Sequence, residues 1–482
     1  MNLTCLKAPR PLAGRLGRRS SVILSSKYHV QSDRKSQVVR YIRLLAFVLI
    51  MGLVTGACGT GGGTTTTTAG GTTTTGGGGA TTTTGAEAIN LLVWVSRPYY
   101  IPPDAFASFM AENPGVTVQF EVQSNDDMLQ QLQLRLDAGQ DLPDILGAED
   151  SFLIESFVVS GLVESHDDIA ARWAEEEPDL YDLLLPLAWD ETTLDGVKYG
   201  LSVTANFDAL YYDPEWLSAA GVEVPFTSLD DVLDGMRAMK ANRPDAIPFT
   251  VQARAGDGVT TLKTLLAAAG APFNGAVPDL ASEGGLYAIN WFLQAADEGL
   301  LPPEAIAWGE DESRGAFVAR SAGLILDGFT TAGDFNEAPD FDYPDQWSLT
   351  PVPLSRSGGA EDGVALSAAR TWAVLSQTDH PEEAALILRY IASTDNLVEA
   401  AANGSVPMRQ TDALNDARLL DAWPFFSEEL KAAYLGSTPA PAGLNAGDVE
   451  AILEQMFGEI VVGTDKTAEE LAAEYQPQID AA

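Results

Sequence analysis

Ile89-Asn90-Leu91-Leu92-Val93-Trp94-Val95 is a mostly apolar run, as expected of a strand buried on both faces. Beyond it, Asp104 can cap a helix that carries Phe106, Phe109 and Met110, and Pro114-Gly115 stops that helix. Val116 to Val122 then alternates, which predicts a second strand with Val116, Val118, Phe120 and Val122 on one face. Asp126 or Asp127 can cap a second helix bearing Met128, Leu129, Leu132 and Leu136, with Gly139 as its left-handed cap. Asp144-Ile145-Leu146-Gly147 begins a third strand. The order β-α-β-α-β predicts the α/β class, with a parallel sheet and helices on both of its faces. Ligands on such sheets sit beyond the carboxyl ends of the strands. That rule singles out Trp94, Ser96 and Arg97 after the first strand, and Glu149, Asp150 and Ser151 after the third.

Composition and charge narrow the function. The chain has 482 residues, 46% apolar and 20% charged, which is ordinary for a folded protein and excludes wholesale disorder. Ten Lys/Arg and one Asp precede Gly59, so of the totals of 28 basic and 68 acidic residues, 18 and 67 remain for the rest. A surface that acidic repels nucleic acid and anionic membranes. Its plainest role is solubility, and attraction of a cationic ligand is the sharper alternative. Cys5 and Cys58 both precede the folded body, so no disulfide or Cys-based metal site is expected in it. His29, His166 and His380 are too sparse for a His-rich metal centre, and no cofactor is implied.

The start of the chain reads as an address. Leu44 to Val54 (LLAFVLIMGLV) follows Arg40 and Arg43 and has the length of a signal-peptide core rather than of a membrane span. Val54-Thr55-Gly56-Ala57-Cys58-Gly59 resembles the lipobox of bacterial lipoproteins, with Thr55 at the usual aliphatic position. That resemblance implies a signal peptide over 1–58 and a lipidated Cys58 as the first mature residue. Residues 59–86 hold almost only Gly, Thr and Ala, cannot pack a core, and are expected to form a flexible tether.

Along the body a set of segments resembles the extracellular solute-binding proteins of ABC importers, in the sugar-binding family 1. Gly139 to Ile145 (GQDLPDI) resembles the family's "aGxxPDi". Gly161-Leu162-Val163, Gly196 to Leu201 and Leu210 to Pro214 follow in the family's order, with Ser202 and Asp213 where it has Pro and Asn. Next come Gly221 to Pro225 with Thr227 and Leu229, Phe317 to Leu326, His380 to Ala384, Gly404 to Pro407 and Gly463 to Leu471. The resemblance covers residues 89–472. It implies a two-lobe periplasmic-binding-protein-like fold (type II) over 87–482, hinge-linked, with the ligand between the lobes. Lobe one is expected over about 87–205 and 367–410, and lobe two over about 206–366 and 411–482. The implied function is capture of a mono- or oligosaccharide by lobe closure and delivery to a permease with its ATPase. The implied protein is monomeric, not an enzyme, and held at the cell membrane on its extracytoplasmic side.

Sugar faces stack on aromatic rings, and sugar hydroxyls need paired donors and acceptors. By strand ends and by family position, the expected ligand-binding residues are Trp94, Ser96, Arg97 and Tyr99, then Asp150 and Ser151, Gln252 and Arg254, Trp308, Asp327 and Phe329, and Arg370 with Trp372. Trp94 and Trp372 lie in apolar runs and are equally good core residues. Trp173, Trp189, Trp216, Trp291, Trp347 and Trp423 read as core, helix-face or surface positions. Two rivals stand beside this reading: the same fold binding a polyamine or other small polar solute, and a secreted glycoside hydrolase, for which a pair of carboxylates would suffice. No G-x-S-x-G, H-E-x-x-H or P-loop motif supports an enzyme.

Overall fold

The computed structural model describes residues 88–95, 105–123, 125–256, 259–404, 409–443 and 445–482, and describes 125–127, 129, 148–153, 155, 403 and 404 by backbone alone. Ser96, Arg97, Tyr99, Asp104, Cys58, the signal segment and the tether lie outside the described residues. Nine strands build the main sheet: β1 (Ile89–Val95), β2 (Val116–Val122), β3 (Ile145–Asp150), β4 (Leu201–Tyr212), β5 (Ile247–Thr250), β6 (Ala322–Gly328), β7 (Ser348–Pro351), β8 (Leu366–Val374) and β9 (Thr438–Pro439). Their order is β2-β1-β3-β8-β4-β6-β5, with β7 also on β4 and β9 on β8.

The parallel β1, β2 and β3 match the expected β-α-β-α-β unit. Helices Ala105–Glu112 and Asn125–Ala138 connect them, and Gly139 takes the left-handed φ of +61° that a helix cap needs. The sheet as a whole is mixed, because β8 runs antiparallel to both β3 and β4. One expectation fails on β2. Val118 is buried, but Phe120 is 39% and Val122 53% exposed. The strand lies at the sheet edge, where one flank has no neighbour to cover the alternating side chains.

Strand β4 joins two lobes. Its first half pairs with β8, Phe207 facing Ser367 and Ser202 facing Thr371. Its second half pairs with β6 on one edge and β7 on the other, Asp208 facing Gly328 and Ala209 facing Pro351. One apolar layer runs along a single face of both lobes, from Val93, Val203 and Trp372 to Phe207, Tyr211 and Trp347. The other face of the first lobe is closed by Trp94, Met128, Leu146, Phe157 and Ala373. In the second lobe Phe249 and Leu324 pack under Trp291, Phe457 and Leu471. The last two belong to the C-terminal helices Ala446–Val462 and Ala468–Ile479, the latter started by a capping box in which Thr467 and Glu470 exchange backbone-to-side-chain bonds of 3.3 and 2.9 Å. Burying these side chains supplies roughly 1.5–3 kcal/mol each, offset by ordering the chain.

His166 ties this frame to β8. Its Nε2 accepts from the Val374 N–H at 2.8 Å, and its Nδ1 lies 2.9 Å from the Glu164 carbonyl. Accepting at Nε2 makes Nδ1 the protonated nitrogen, so the ring is neutral. Burial lowers its pKa from 6.5 to about 4. The unfolded chain therefore binds the extra proton first on acidification. Stability from His166 is complete above about pH 6.5 and drains away toward pH 4, by about 3 kcal/mol in total. A His166→Gln variant is expected to lose this share of the slope when denaturant midpoints are compared at pH 7 and pH 4. An unchanged slope would dismiss the role.

Candidate functional site

The largest cleft of the described residues, about 770 Å³, opens where β4 passes from β8 to β6. Asn206, Phe207 and Asp208 form its floor. The position follows from sequence: Asn206 and Asp208 interrupt an otherwise apolar strand, so both are polar groups placed at the lobe junction. Gly328 faces them and must lack a side chain, because a Cβ there would stand 2.0 Å from Asn206 Nδ2. Asn206 Oδ1 is held by the Thr330 N–H at 3.1 Å, which fixes the amide.

Charge in the cleft is mostly negative. Arg314 clamps Asp327 through Nε and Nη2 at 2.7 and 2.8 Å and reaches Glu310 at 3.1 Å. Lys263 pairs with Glu450 at 2.5 Å. Asp208 accepts a hydrogen bond from the Thr264 hydroxyl. Burial, aided by the negative charge of Asp327 and opposed by that hydrogen bond and by Lys263, pushes its carboxyl up to about 6. A carboxylate held this way costs the unliganded fold stability above pH 6, and the cost vanishes below about pH 3.8. Asp208→Asn is therefore expected to stabilise the unliganded protein by about 2 kcal/mol at pH 8, allowing for partial exposure, and to match the parent near pH 4. Denaturant midpoints at the two pH values check this, and a loss at pH 8 would contradict it.

The apolar wall comes from Phe207, Trp423 and Phe425. Trp423 is 2% exposed, packs edge-on to Phe329 at 5.5 Å and to Phe426 at 5.7 Å, and still borders the cleft. Its Nε1 has no acceptor among the described residues.

Of the residues expected from sequence, Asp327 and Arg370 line this cleft. The others that can be placed do not. Trp94 is a core residue, 1% exposed, with Nε1 bonded to Glu121 at 2.9 Å and Arg135 stacked 4.5 Å above its ring. Trp372 is buried against Gly147, where even a Cβ would meet the indole at 2.2 Å. Phe329 lies fully buried behind the cleft wall, stacked on Phe207 at 5.2 Å. Gln252 is 5% exposed and Trp308 half-buried against the second lobe's core, both away from the cleft. Arg254 is exposed and pairs with Glu312 at 3.2 Å. Asp327 also belongs to β6 rather than following it. The backbone of Asp150 pairs with Arg370, and Ser151 starts the helix Ser151–Val159; their side chains are not among the described groups. Asn206, Asp208, Lys263, Arg314, Asp334, Glu337, Glu450 and Trp423 were not foreseen as site residues, and polar breaks in a long apolar strand were the signal that marked the first two.

Comparison with known proteins bears on this geometry. Residues 95–397 match the family described as bacterial extracellular solute-binding protein. A binding protein of Brucella abortus is 24% identical over 334 residues, covering 66% of this chain and 74% of its own length. Among solved structures, the GacH receptor of Streptomyces glaucescens, determined unliganded and with acarbose, superposes with a TM-score of 0.66 at 16% identity, over 82% of this chain and 98% of that one. The sugar-binding protein MalE of Xanthomonas citri gives 0.67 at 15% identity, over 81% and 98%. The cyclic α-maltosyl-1,6-maltose binding protein of Arthrobacter globiformis gives 0.67 at 16%, over 82% and 98%. At these identities the structural likeness establishes the two-lobe fold.

Proposed function

The chain belongs to the bacterial extracellular solute-binding protein family, and from that membership we propose that it captures a carbohydrate in the cleft at the lobe junction and hands it to the permease of an ABC importer. The observation that carries this is the cleft itself: about 770 Å³, with an aromatic wall at Trp423 and Phe425 facing a floor of fixed donors and acceptors at Asn206 and Asp208. Aromatic faces take the C–H surface of a sugar, and fixed polar groups take its hydroxyls. Solved relatives carry titles naming sugars or acarbose as their ligands, which agrees with this reading.

Closure of the lobes on the sugar shifts an open–closed equilibrium, and the closed form is what the permease reads. The protein performs no chemistry on its ligand. A lipid on Cys58 and the tether of residues 59–86 hold it at the outer side of the membrane, which raises its effective concentration at the permease. The acid-rich lining keeps a second ligand class in view, a polyamine.

Tryptophan fluorescence and melting of the purified chain across mono- and oligosaccharides and polyamines test the proposal. A ligand at 100 times its Kd stabilises by about 2.7 kcal/mol. A saturable response to a sugar, with the sugar recovered intact, is expected. Cleavage of the sugar would favour the hydrolase, and a response to polyamines alone would replace the ligand class. Labelling of the chain by radioactive lipid precursor, lost in Cys58→Ala, checks the anchor.

A further inference from the structure

Resting on the carbohydrate reading, we propose that the ligand is an amino sugar, a carbohydrate carrying at least one protonated amine. The cleft's charges are unevenly matched. Arg314 is committed to Asp327 and Glu310, and Lys263 to Glu450. Asp208, Asp334 and Glu337 border the same cleft and have no Lys or Arg within ion-pair distance among the described residues. Asp334 and Glu337 stand three residues apart on the helix Thr331–Glu337, which places them on one face. Asp208 lies on the floor, where its carboxylate is partly removed from water.

Solubility accounts for acids on the outer surface. It does not account for a carboxylate at the bottom of a cleft, beside a second carboxylate, with a hydroxyl as its hydrogen-bond partner. A charge taken from water is costly until an opposite charge meets it. The ammonium group of a ligand meets that need, while a neutral sugar offers Asp208 hydroxyl donors alone.

The same wall excludes a bare polyamine. Trp423 Nε1 is a pure donor, 98% of its residue's surface is covered, and no described group accepts from it. A protonated polyamine has donors and no acceptors. A hydroxyl or ring oxygen accepts. Unmatched carboxylates and an unmatched indole N–H on one cleft therefore call for a ligand that is cationic and hydroxylated together.

The test is calorimetric affinity of the full chain for matched pairs: glucosamine and glucose, galactosamine and galactose, the glucosamine disaccharide and cellobiose, with spermidine alongside. In at least one pair the amine is expected to bind about tenfold tighter or more, as a close charge pair in a partly screened site is worth over 1.4 kcal/mol. The gap is expected to shrink as salt rises from about 0.1 to about 1 M, where the screening length falls from about 10 to about 3 Å. It is expected to fall within about threefold in Asp208→Asn, and Asp334→Asn with Glu337→Gln provides a second, surface-exposed variant that leaves the floor intact. Equal or tighter binding of the neutral members overturns the amino sugar and leaves the carbohydrate reading standing. Binding of spermidine alone overturns both, as does silence from every probe. A gap that survives in both variants removes these carboxylates from the recognition.

Discussion

Replacing Arg409 with Met is expected to cost the fold about 3–5 kcal/mol, the usual penalty for stranding one member of a buried ion pair. Arg409 is fully buried and Glu191 nearly so. Arg409 Nη2 donates to a carboxylate oxygen of Glu191 and, at 2.9 Å, to Ser367 Oγ, while its guanidinium carbon lies 5.3 Å from the Tyr434 ring centroid. Its main chain is pinned as well, its N–H to the Val203 carbonyl at 2.8 Å and its own carbonyl to the Leu185 N–H at 2.9 Å. The group thus fastens β4 and β8 immediately behind the cleft. Burial already pushes the Glu191 carboxyl up to about 7 against the pull of Arg409. Without the cation that carboxylate has no partner of opposite charge. Chemical denaturation of the single variants and of Arg409→Met/Glu191→Leu forms the decisive cycle. The double variant is expected to recover more than half of the loss, since an apolar pair of similar volume leaves no stranded charge. Additive losses would mean that the two side chains act independently.

Trp423→Ala is expected to have the second large effect, about 3–5 kcal/mol of stability, because the indole fills space among Phe329, Phe426 and Phe207's neighbours that Ala cannot. The variant that separates packing from recognition is Trp423→Phe. It keeps an aromatic ring against Phe329 and Phe426, and removes an N–H with no acceptor among the described residues. Stability is then expected to fall by much less than in the Ala variant. Ligand affinity is expected to drop about fivefold, the worth of one ordinary hydrogen bond. Melting curves and titrations on the two variants check both halves. Unchanged affinity in Trp423→Phe would show that the indole N–H makes no bond to the ligand.

Local pattern revealed the local structure well. The run Ile89–Val95 forms the first strand with the limits its apolar content suggested, and the β-α-β-α-β unit pairs in parallel. What alternation could not show is which flank of β2 remains open, since that depends on a neighbour that no residue of β2 encodes. The two-lobe fold was legible through a series of weak motifs in a fixed order. The site was much less legible. Placing ligand contacts after strand ends favoured Trp94, Gln252 and Trp372, all of which the fold uses to fill its interior. The apolar neighbours of Trp94 and Trp372 already pointed that way. The cleft draws instead on the middle of β4, on helix Thr260–Ala268, on Asp327, Arg370 and Trp423, and on Glu450. These positions are scattered over more than half of the chain, and no spacing within any one segment relates them.

The sharing of β4 between the lobes has a mechanical consequence. In a rotation about the point where the strand changes partners, each group travels in proportion to its distance from that pivot. Asn206 and Asp208 sit on the pivot and scarcely move. Contacts made there are almost the same whether the jaws are apart or together, so they set how tightly a solute is held without telling the protein to shut. The work of shutting falls to side chains with the longest lever arms, near the mouth. Grip and signal are thus carried by different residues, and changing one leaves the other free to persist.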